Sequence, residues 1–164
     1  MEDRAKFVRF EREILPHLDA AHNLARWLTG NDADAADVVQ EASVRALSFF
    51  DGFRGGDARA WLLQIVRNTC YTWLRRNRDA STAVLDEAVH GSPGSGAGPE
   101  RLMVQQAIAA LPEEFREALV LREIEGLSYK EIAHVAGVPI GTVMSRLARA
   151  RKMLRASLSP EAAS

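Results

Sequence analysis

Apolar residues recur along this chain at spacings of three and four, the period of an α-helix with one buried face. The pattern predicts helices near Arg4–Leu15, His17–Thr29, Asp34–Phe50, Ala58–Arg78, Arg101–Ala110 and Pro112–Glu125, and two more between Leu127 and Arg155. No stretch alternates β-branched and polar residues between turn signals, so the expected fold class is all-α. Gly30-Asn31-Asp32 and Asp51-Gly52 supply breaks, Pro16 starts or kinks the second helix, and Gly126 stops the sixth. Leu111-Pro112 marks a boundary, with Pro112 suited to a first helical turn. The run Gly91-Ser-Pro-Gly-Ser-Gly-Ala-Gly-Pro99 holds no side chain that can build a core. It divides the chain into two small helical domains, residues 1–80 and 100–164, with a flexible linker over 81–99.

The pattern is sharpest from Leu127 to Arg155. Ser128 with Glu131 three residues on is the signature of a capping box. Ile132, Ala133 and Ala136 line one face of a short helix, and Gly137 suits the left-handed residue that ends it. Pro139 suits the start of the next helix. There, at about 100° per residue, Val143, Leu147, Ala150 and Leu154 form one stripe. Met144, Ser145, Ala148, Arg149, Lys152 and Arg155 point the other way. Arg146 falls at the stripe's edge, where it braces the fold instead of reading bases. A capped helix, a tight turn and a second helix with a basic outer face make a helix-turn-helix, whose second helix lies in the major groove. Ser145 and Arg149 are the candidates for base edges, and Arg151, Lys152 and Arg155 for phosphates. The plainer reading is a helical hairpin with a solvated basic face.

Two earlier helices also carry organised outer faces. In Asp34–Phe50, Ala35, Val39, Ala42 and Ala46 form the expected core stripe, while Asp37, Gln40, Val44 and Leu47 emerge opposite, flanked by Glu41. Acid beside aliphatic suits a protein-docking patch for a basic helix; packing of Val44 and Leu47 inside the same domain is the equal alternative. In Ala58–Arg78, Trp61, Leu62, Ile65, Thr69 and Trp73 are expected to face inward. Gln64, Arg67, Asn68, Tyr71, Arg75 and Arg78 cluster on the other side. Guanidiniums that hold phosphates and a ring on which bases stack suit single-stranded DNA; an ordinary solvated face is the alternative. The loop before it, Phe53-Arg-Gly-Gly-Asp57, allows close backbone approach to a ligand such as one flipped base.

Charge qualifies this picture. The net charge of −1 is unusual for a nucleic-acid binder, but the charges are sorted. Gly141–Arg155 carries five basic residues and Ala58–Arg78 another five, and neither stretch has an acid. Local stripes set DNA affinity, and near-neutrality overall implies weak binding without help from a partner. One cysteine, Cys70, excludes an internal disulfide and fits a reducing compartment. The start, MEDRAKFVRFERE, is too charged for a signal peptide. No apolar run approaches the ~20 residues of a membrane helix, so a soluble cytoplasmic protein without membrane insertion is expected.

These motifs together resemble the bacterial RNA polymerase sigma factors of the extracytoplasmic-function (ECF) type. DADAADVVQEASVRA resembles the region two segment that docks on the coiled coil of the polymerase β′ subunit. FDGFRGGDARAWLLQIVRNTCYTWLRR resembles the segment that melts and reads the minus-ten element. LPEEFREALVLREIEGLSYKEIAHVAGVPIGTVMSRLARARKMLR resembles region four, which reads the minus-thirty-five element. The resemblance implies core-polymerase docking through Asp34, Asp37, Gln40, Glu41 and Val44. It implies minus-ten contacts from Phe53, Arg54, Gly55, Gly56, Asp57, Gln64, Arg67, Asn68, Tyr71, Arg75 and Arg78, with Asn68 and the loop holding the flipped base. It implies minus-thirty-five contacts from Thr142, Met144, Ser145, Ala148, Arg149 and Lys152. Met144 stands where family members often carry Lys or Arg, and Ala148 is small, so base preference is open. The implied partners are the β′ and β subunits of core polymerase, promoter DNA and an anti-sigma factor. No cofactor, metal or catalytic residue is implied.

Other readings are a polymerase-independent helix-turn-helix regulator, a DNA-acting enzyme such as a recombinase, and a purely structural bundle. The flexible linker and acidic docking helix oppose the first. His17, His22, His90 and His134 are scattered without metal-ligand spacing, which opposes the second. Two acid-free basic stripes oppose the third.

Overall fold

The computed structural model describes residues 2–78 and 98–159. The linker expected between the domains lies largely outside the described residues, as does the side chain of Arg78. Among the described residues the regular structure is helical throughout. The N-terminal half holds α1 (Glu2–Glu13), α2 (Leu18–Thr29), α3 (Asp32–Phe49) and α4 (Ala58–Arg78). The C-terminal half holds α5 (Pro99–Ala109), α6 (Glu113–Leu119), α7 (Tyr129–Ala136) and α8 (Ile140–Leu158).

Local signals set the boundaries. A 3-10 turn over Leu15–His17, with Pro16 in it, separates α1 from α2. Gly30 closes α2 at φ +93°, a conformation that favours a residue without Cβ. The Asn31 side chain accepts from the Asp34 backbone N–H at 2.8 Å, so α3 starts at Asp32, earlier than the apolar pattern indicates. α6 loosens into a π-turn over Val120–Ile124. The Leu127 amide then bonds back to the Leu121 carbonyl at 2.9 Å.

α2, α3 and α4 pack on one another around Leu24, Leu28, Val38, Leu62 and Val66. The buried stripe of α3 is Ala35, Val38, Ala42 and Ala46, with Val38 in the place expected for Val39. Three alanines there let the neighbouring helix backbones approach closely. Leu47 packs against the core instead of facing solvent, whereas Val44 stays 64% exposed. At one end of this bundle Phe10, Phe50, Phe53 and Trp61 form an aromatic cluster. Phe50 and Phe53 stack at 5.7 Å, and Phe53 meets Trp61 at 5.0 Å. Rings at these separations add roughly 0.5–1.5 kcal/mol beyond the area they bury.

The halves do not stand apart. α2 packs on α6, α4 packs on α7, and one apolar cluster runs through both domains. α4 is therefore buried on two sides. The side toward α2 and α3 includes the expected Leu62 and Thr69, with Trp61, Ile65 and Trp73 half-buried. At 100° per residue, Ala60, Leu63, Arg67, Cys70 and Tyr71 fall on roughly the opposite side, and Ala60, Leu63 and Cys70 are buried there too.

Candidate nucleic-acid interface

The helix-turn-helix follows its local chemistry closely. Ser128 Oγ accepts from the Glu131 amide at 3.1 Å, and Glu131 accepts from the Ser128 amide at 2.9 Å, forming the capping box. Gly137 ends α7 at φ +69°, and Pro139 is the N-cap of α8. Arg122 anchors the entry: its guanidinium lies 4.7 Å from the Tyr129 ring centroid and donates to the Leu127 carbonyl at 2.9 Å. Val143, Leu147 and Ala150 are buried and Leu154 half-buried, as the stripe requires. The row opposite is open: Met144, Ser145, Ala148, Arg149, Lys152 and Arg155 are all exposed, and Thr142 is half-buried. Ile140, 48% exposed and one turn before Met144, extends this row toward the helix N-terminus beyond the residues expected from the stripe. Arg151 is not among the free cations. It pairs with Glu123 of the π-turn at 2.9 Å, which holds its guanidinium above the ordinary range.

The helix expected to dock on a partner, α3, is more divided than its sequence implies. Asp37, Gln40 and Val44 are exposed, and Ser48 with the 60% exposed Phe49 continues the patch. The Phe49-Phe50 doublet carried that signal, because consecutive helical residues cannot share one face. Asp34 instead belongs to the helix start, where it accepts from the Asn31 side-chain amide. Glu41 is half-buried between Arg45 and Arg76, each at 3.8 Å.

The residues expected around the minus-ten strand divide into three groups. Ser48, Phe49, Trp61, Gln64, Ile65 and Asn68 line an open groove of about 600 Å³ between the end of α3 and α4. Amides beside aromatic walls suit an unstacked base. The Phe53–Asp57 loop faces an adjoining hollow of about 460 Å³, which shares Gly52 and Trp61 with that groove. Lys130, Glu131 and His134 of α7 line the far wall of that hollow. Phe53 contributes little chemistry, since its ring is buried in the aromatic cluster. Gly55 and Gly56 take φ +90° and +91°, which only glycine adopts easily. Asp57 caps α4 by accepting from the Ala60 amide at 3.0 Å. A hydrogen bond shared with the Glu131 carboxyl, and then that amide, hold its own carboxyl below the usual range.

Arg67 and Tyr71 form the third group, and here the expected outward orientation is corrected. Both turn to Glu117 of α6, a carboxylate 1% exposed. Arg67 Nε donates to one Glu117 oxygen at 2.7 Å, and the Tyr71 hydroxyl donates to the other at 2.9 Å. Arg67 also stacks 4.1 Å from the Tyr71 centroid and donates to Asn68 Oδ1 at 3.3 Å. Burial is the largest single influence on the Arg67 pKa and lowers it, but the charge and hydrogen bond of Glu117, with help from Tyr71, together outweigh it and the net shift is upward. Burial, reinforced by the same charge, raises the Tyr71 phenol, which therefore stays a donor. Burial also lifts the Cys70 thiol to about 12, again with Glu117 adding to the effect. Arg75 remains exposed.

Further contacts reinforce the junction. Arg59 donates to the Glu125 carbonyl at 3.0 Å and lies 3.8 Å from Glu131. Asn23 donates to the Glu125 carboxylate at 3.3 Å. Burial raises the Glu125 pKa against the opposing influence of Asn23 and Arg59. No group of three metal-ligating side chains occurs among the described residues, and no described helix is long and apolar enough to cross a membrane.

Comparison with known proteins agrees with this layout. Residues 14–80 match the sigma-70 region 2 family and residues 101–154 the sigma-70 region 4 family. The ECF RNA polymerase sigma-E factor of Escherichia coli is 38% identical over 143 residues, covering 77% of this chain and 75% of that protein. The RNA polymerase sigma-H factor of Pseudomonas aeruginosa is 41% identical over 77% of this chain and 74% of its own length. The ECF sigma factor SigE of Mycolicibacterium smegmatis is 35% identical over 93% of this chain, which spans 63% of that relative's length. Among solved structures, the sigma factor RpoE of Bartonella quintana, in complex with the anti-sigma factor NepR, superposes with a TM-score of 0.78. It shares 32% identity and covers 92% of this chain and 96% of its own. With both region matches in order and identities of 35–41% to these relatives, the chain belongs to the ECF RNA polymerase sigma factors.

Proposed function

We propose that this protein binds core RNA polymerase and directs promoter-specific initiation, reading a minus-ten and a minus-thirty-five element. The observation that carries this reading is the exposed row on α8 above a capped helix-turn-helix, in the same chain as an acidic, partly aliphatic docking helix. Residues 1–80 act as region two, 81–99 as the linker and 100–164 as region four. Asp37, Gln40 and Val44 of α3 dock on β′, and Phe49 extends that contact. Ser145 and Arg149 read base edges in the upstream duplex, while Lys152 holds phosphate. The groove at Gln64 and Asn68 receives an unstacked base, and Arg67, Tyr71 and Arg75 hold the melted strand.

No covalent bond is made or broken in this mechanism. Melting is favoured because unstacked bases gain a binding site that duplex DNA lacks. Two modest readers on one chain gain effective concentration from each other once polymerase holds both in place. On this reading the protein acts in the cytoplasm, where polymerase and chromosome are found. An anti-sigma partner is supported by the RpoE–NepR complex, whose sigma chain matches this one across both halves.

In vitro transcription with core polymerase and a promoter library tests the reading. Initiation from a defined subset of promoters is expected. Sequence-specific operator binding without polymerase, together with no initiation, points instead to a conventional regulator.

A further inference from the structure

We propose that Glu117 is an internal latch that occupies the minus-ten strand site and keeps the free protein closed. The proposal rests on the reading of Arg67 and Tyr71 as minus-ten contacts. A carboxylate presents two anionic oxygens to the same donors that would hold a phosphate. Both oxygens of Glu117 are taken, one by the Arg67 guanidinium at 2.7 Å and one by the Tyr71 hydroxyl at 2.9 Å. The ring on which a base would stack is covered by Arg67 at 4.1 Å. Strand and latch therefore compete for the same atoms.

The surrounding geometry points the same way. Glu117 is 1% exposed, although α6 is only seven residues long and both of its donors come from α4 in the other domain. A buried carboxylate of this kind is stable only while its partners remain, so releasing α4 returns it to water. α7 also borders the second minus-ten element, lining the hollow at the Phe53–Asp57 loop with Lys130, Glu131 and His134, while Arg54, Gly55, Gly56 and Asp57 themselves stay exposed. Meanwhile Met144, Ser145 and Arg149 on α8, and Asp37 and Val44 on α3, remain exposed. The closed chain thus leaves its docking and upstream-reading surfaces open, together with the groove at Gln64 and Asn68, while the Arg67 and Tyr71 part of the strand-holding surface is occupied. Docking on polymerase can then precede opening, and melted DNA is captured only after Glu117 has let go.

The full chain is the test object, as wild type and as Glu117→Gln, Tyr71→Phe and Arg67→Gln. Glutamine keeps the shape of Glu117 and removes its charge. Phenylalanine keeps the stacking ring and removes one latch bond, so it serves as a second opening variant if E117Q folds poorly. Small-angle X-ray scattering reads the separation of the domains, and fluorescence anisotropy reads binding of a short labelled oligothymidine. The expected result is a larger radius of gyration for E117Q and oligothymidine binding tighter by on the order of tenfold, since apparent affinity scales with the competent fraction. Y71F shifts both readouts in the same direction by less. R67Q opens the chain as E117Q does but weakens binding. Unchanged scattering and affinity in both E117Q and Y71F overturn the latch and leave the minus-ten reading standing. Opening in E117Q with oligothymidine affinity unaltered in every variant overturns the minus-ten reading of Arg67, and with it the competition proposed here.

Discussion

α4 and α8 each carry five basic residues and no acid, yet they meet opposite fates in the fold. The outer row of α8 faces solvent along its length. The corresponding side of α4 is sandwiched against the other domain, with two of the side chains proposed to hold the melted strand tied to one carboxylate. The difference does not lie in the helices themselves. α8 supplies the last packed face of its domain, so nothing remains to cover its far side. α4 lies at the centre of the molecule with neighbours on both flanks, and one of them brings Glu117. A basic stripe is therefore a capacity to bind DNA, and its availability is set by whichever acid the rest of the fold places opposite.

The comparison can be broken most severely by collapsing the open face. Leu147→Ala empties a fully buried position beneath it and is expected to cost ~2–5 kcal/mol, read by chemical denaturation. Binding of duplex containing the minus-thirty-five element is then lost with the fold. If that duplex still bound normally, α8 would not depend on its packed stripe.

A smaller change sharpens it. Arg149→Ala is expected to weaken duplex binding by ~1–3 kcal/mol if it reads a base, while Arg67→Ala leaves duplex binding by region four unaltered. A titration in which the two variants lose equally would erase the distinction between the open and covered faces.

Ser128→Ala removes half of the capping box and should destabilise the helix-turn-helix by ~1 kcal/mol, visible as a lower unfolding midpoint. Because the box lies outside the α8 row, base preference should not change. A changed preference in a binding selection would show that the box also orients the reader.

The smallest expected effect is the response of the junction to pH. Glu125 has a raised pKa, so the closed form takes up a proton there, and its contribution favours closure as pH falls through the range just above 4.5. Asp57 has a lowered pKa, so its contribution is present above about 3.8 and is lost below that value. Scattering across this range should show closure strengthening in mild acid and failing in stronger acid. A radius of gyration that only rises from neutrality downward would contradict the assignment for Glu125.

Much of this molecule was legible in its amino-acid order. The capping box at Ser128 and Glu131, the left-handed Gly137 and the stripe Val143, Leu147, Ala150 and Leu154 all act within a few residues of themselves. Local hydrogen bonding and helical period decide such features. At Val38 and Val39 the helical period fits either valine almost equally, and packing among alanines buried Val38 in place of the expected Val39.

What the tertiary structure alone decided is the state of the minus-ten surface. Glu117 reads in sequence as one of several acids on a solvated helix, and nothing within the reach of periodicity links it to Arg67, fifty residues away. Its partners are set by how α6 docks on α4, a long-range arrangement governed by burial across two domains. The amino-acid order determined two basic helices and one acidic, partly aliphatic helix. The folded chain determined that, in this closed form, one basic face meets solvent and the other meets its own carboxylate.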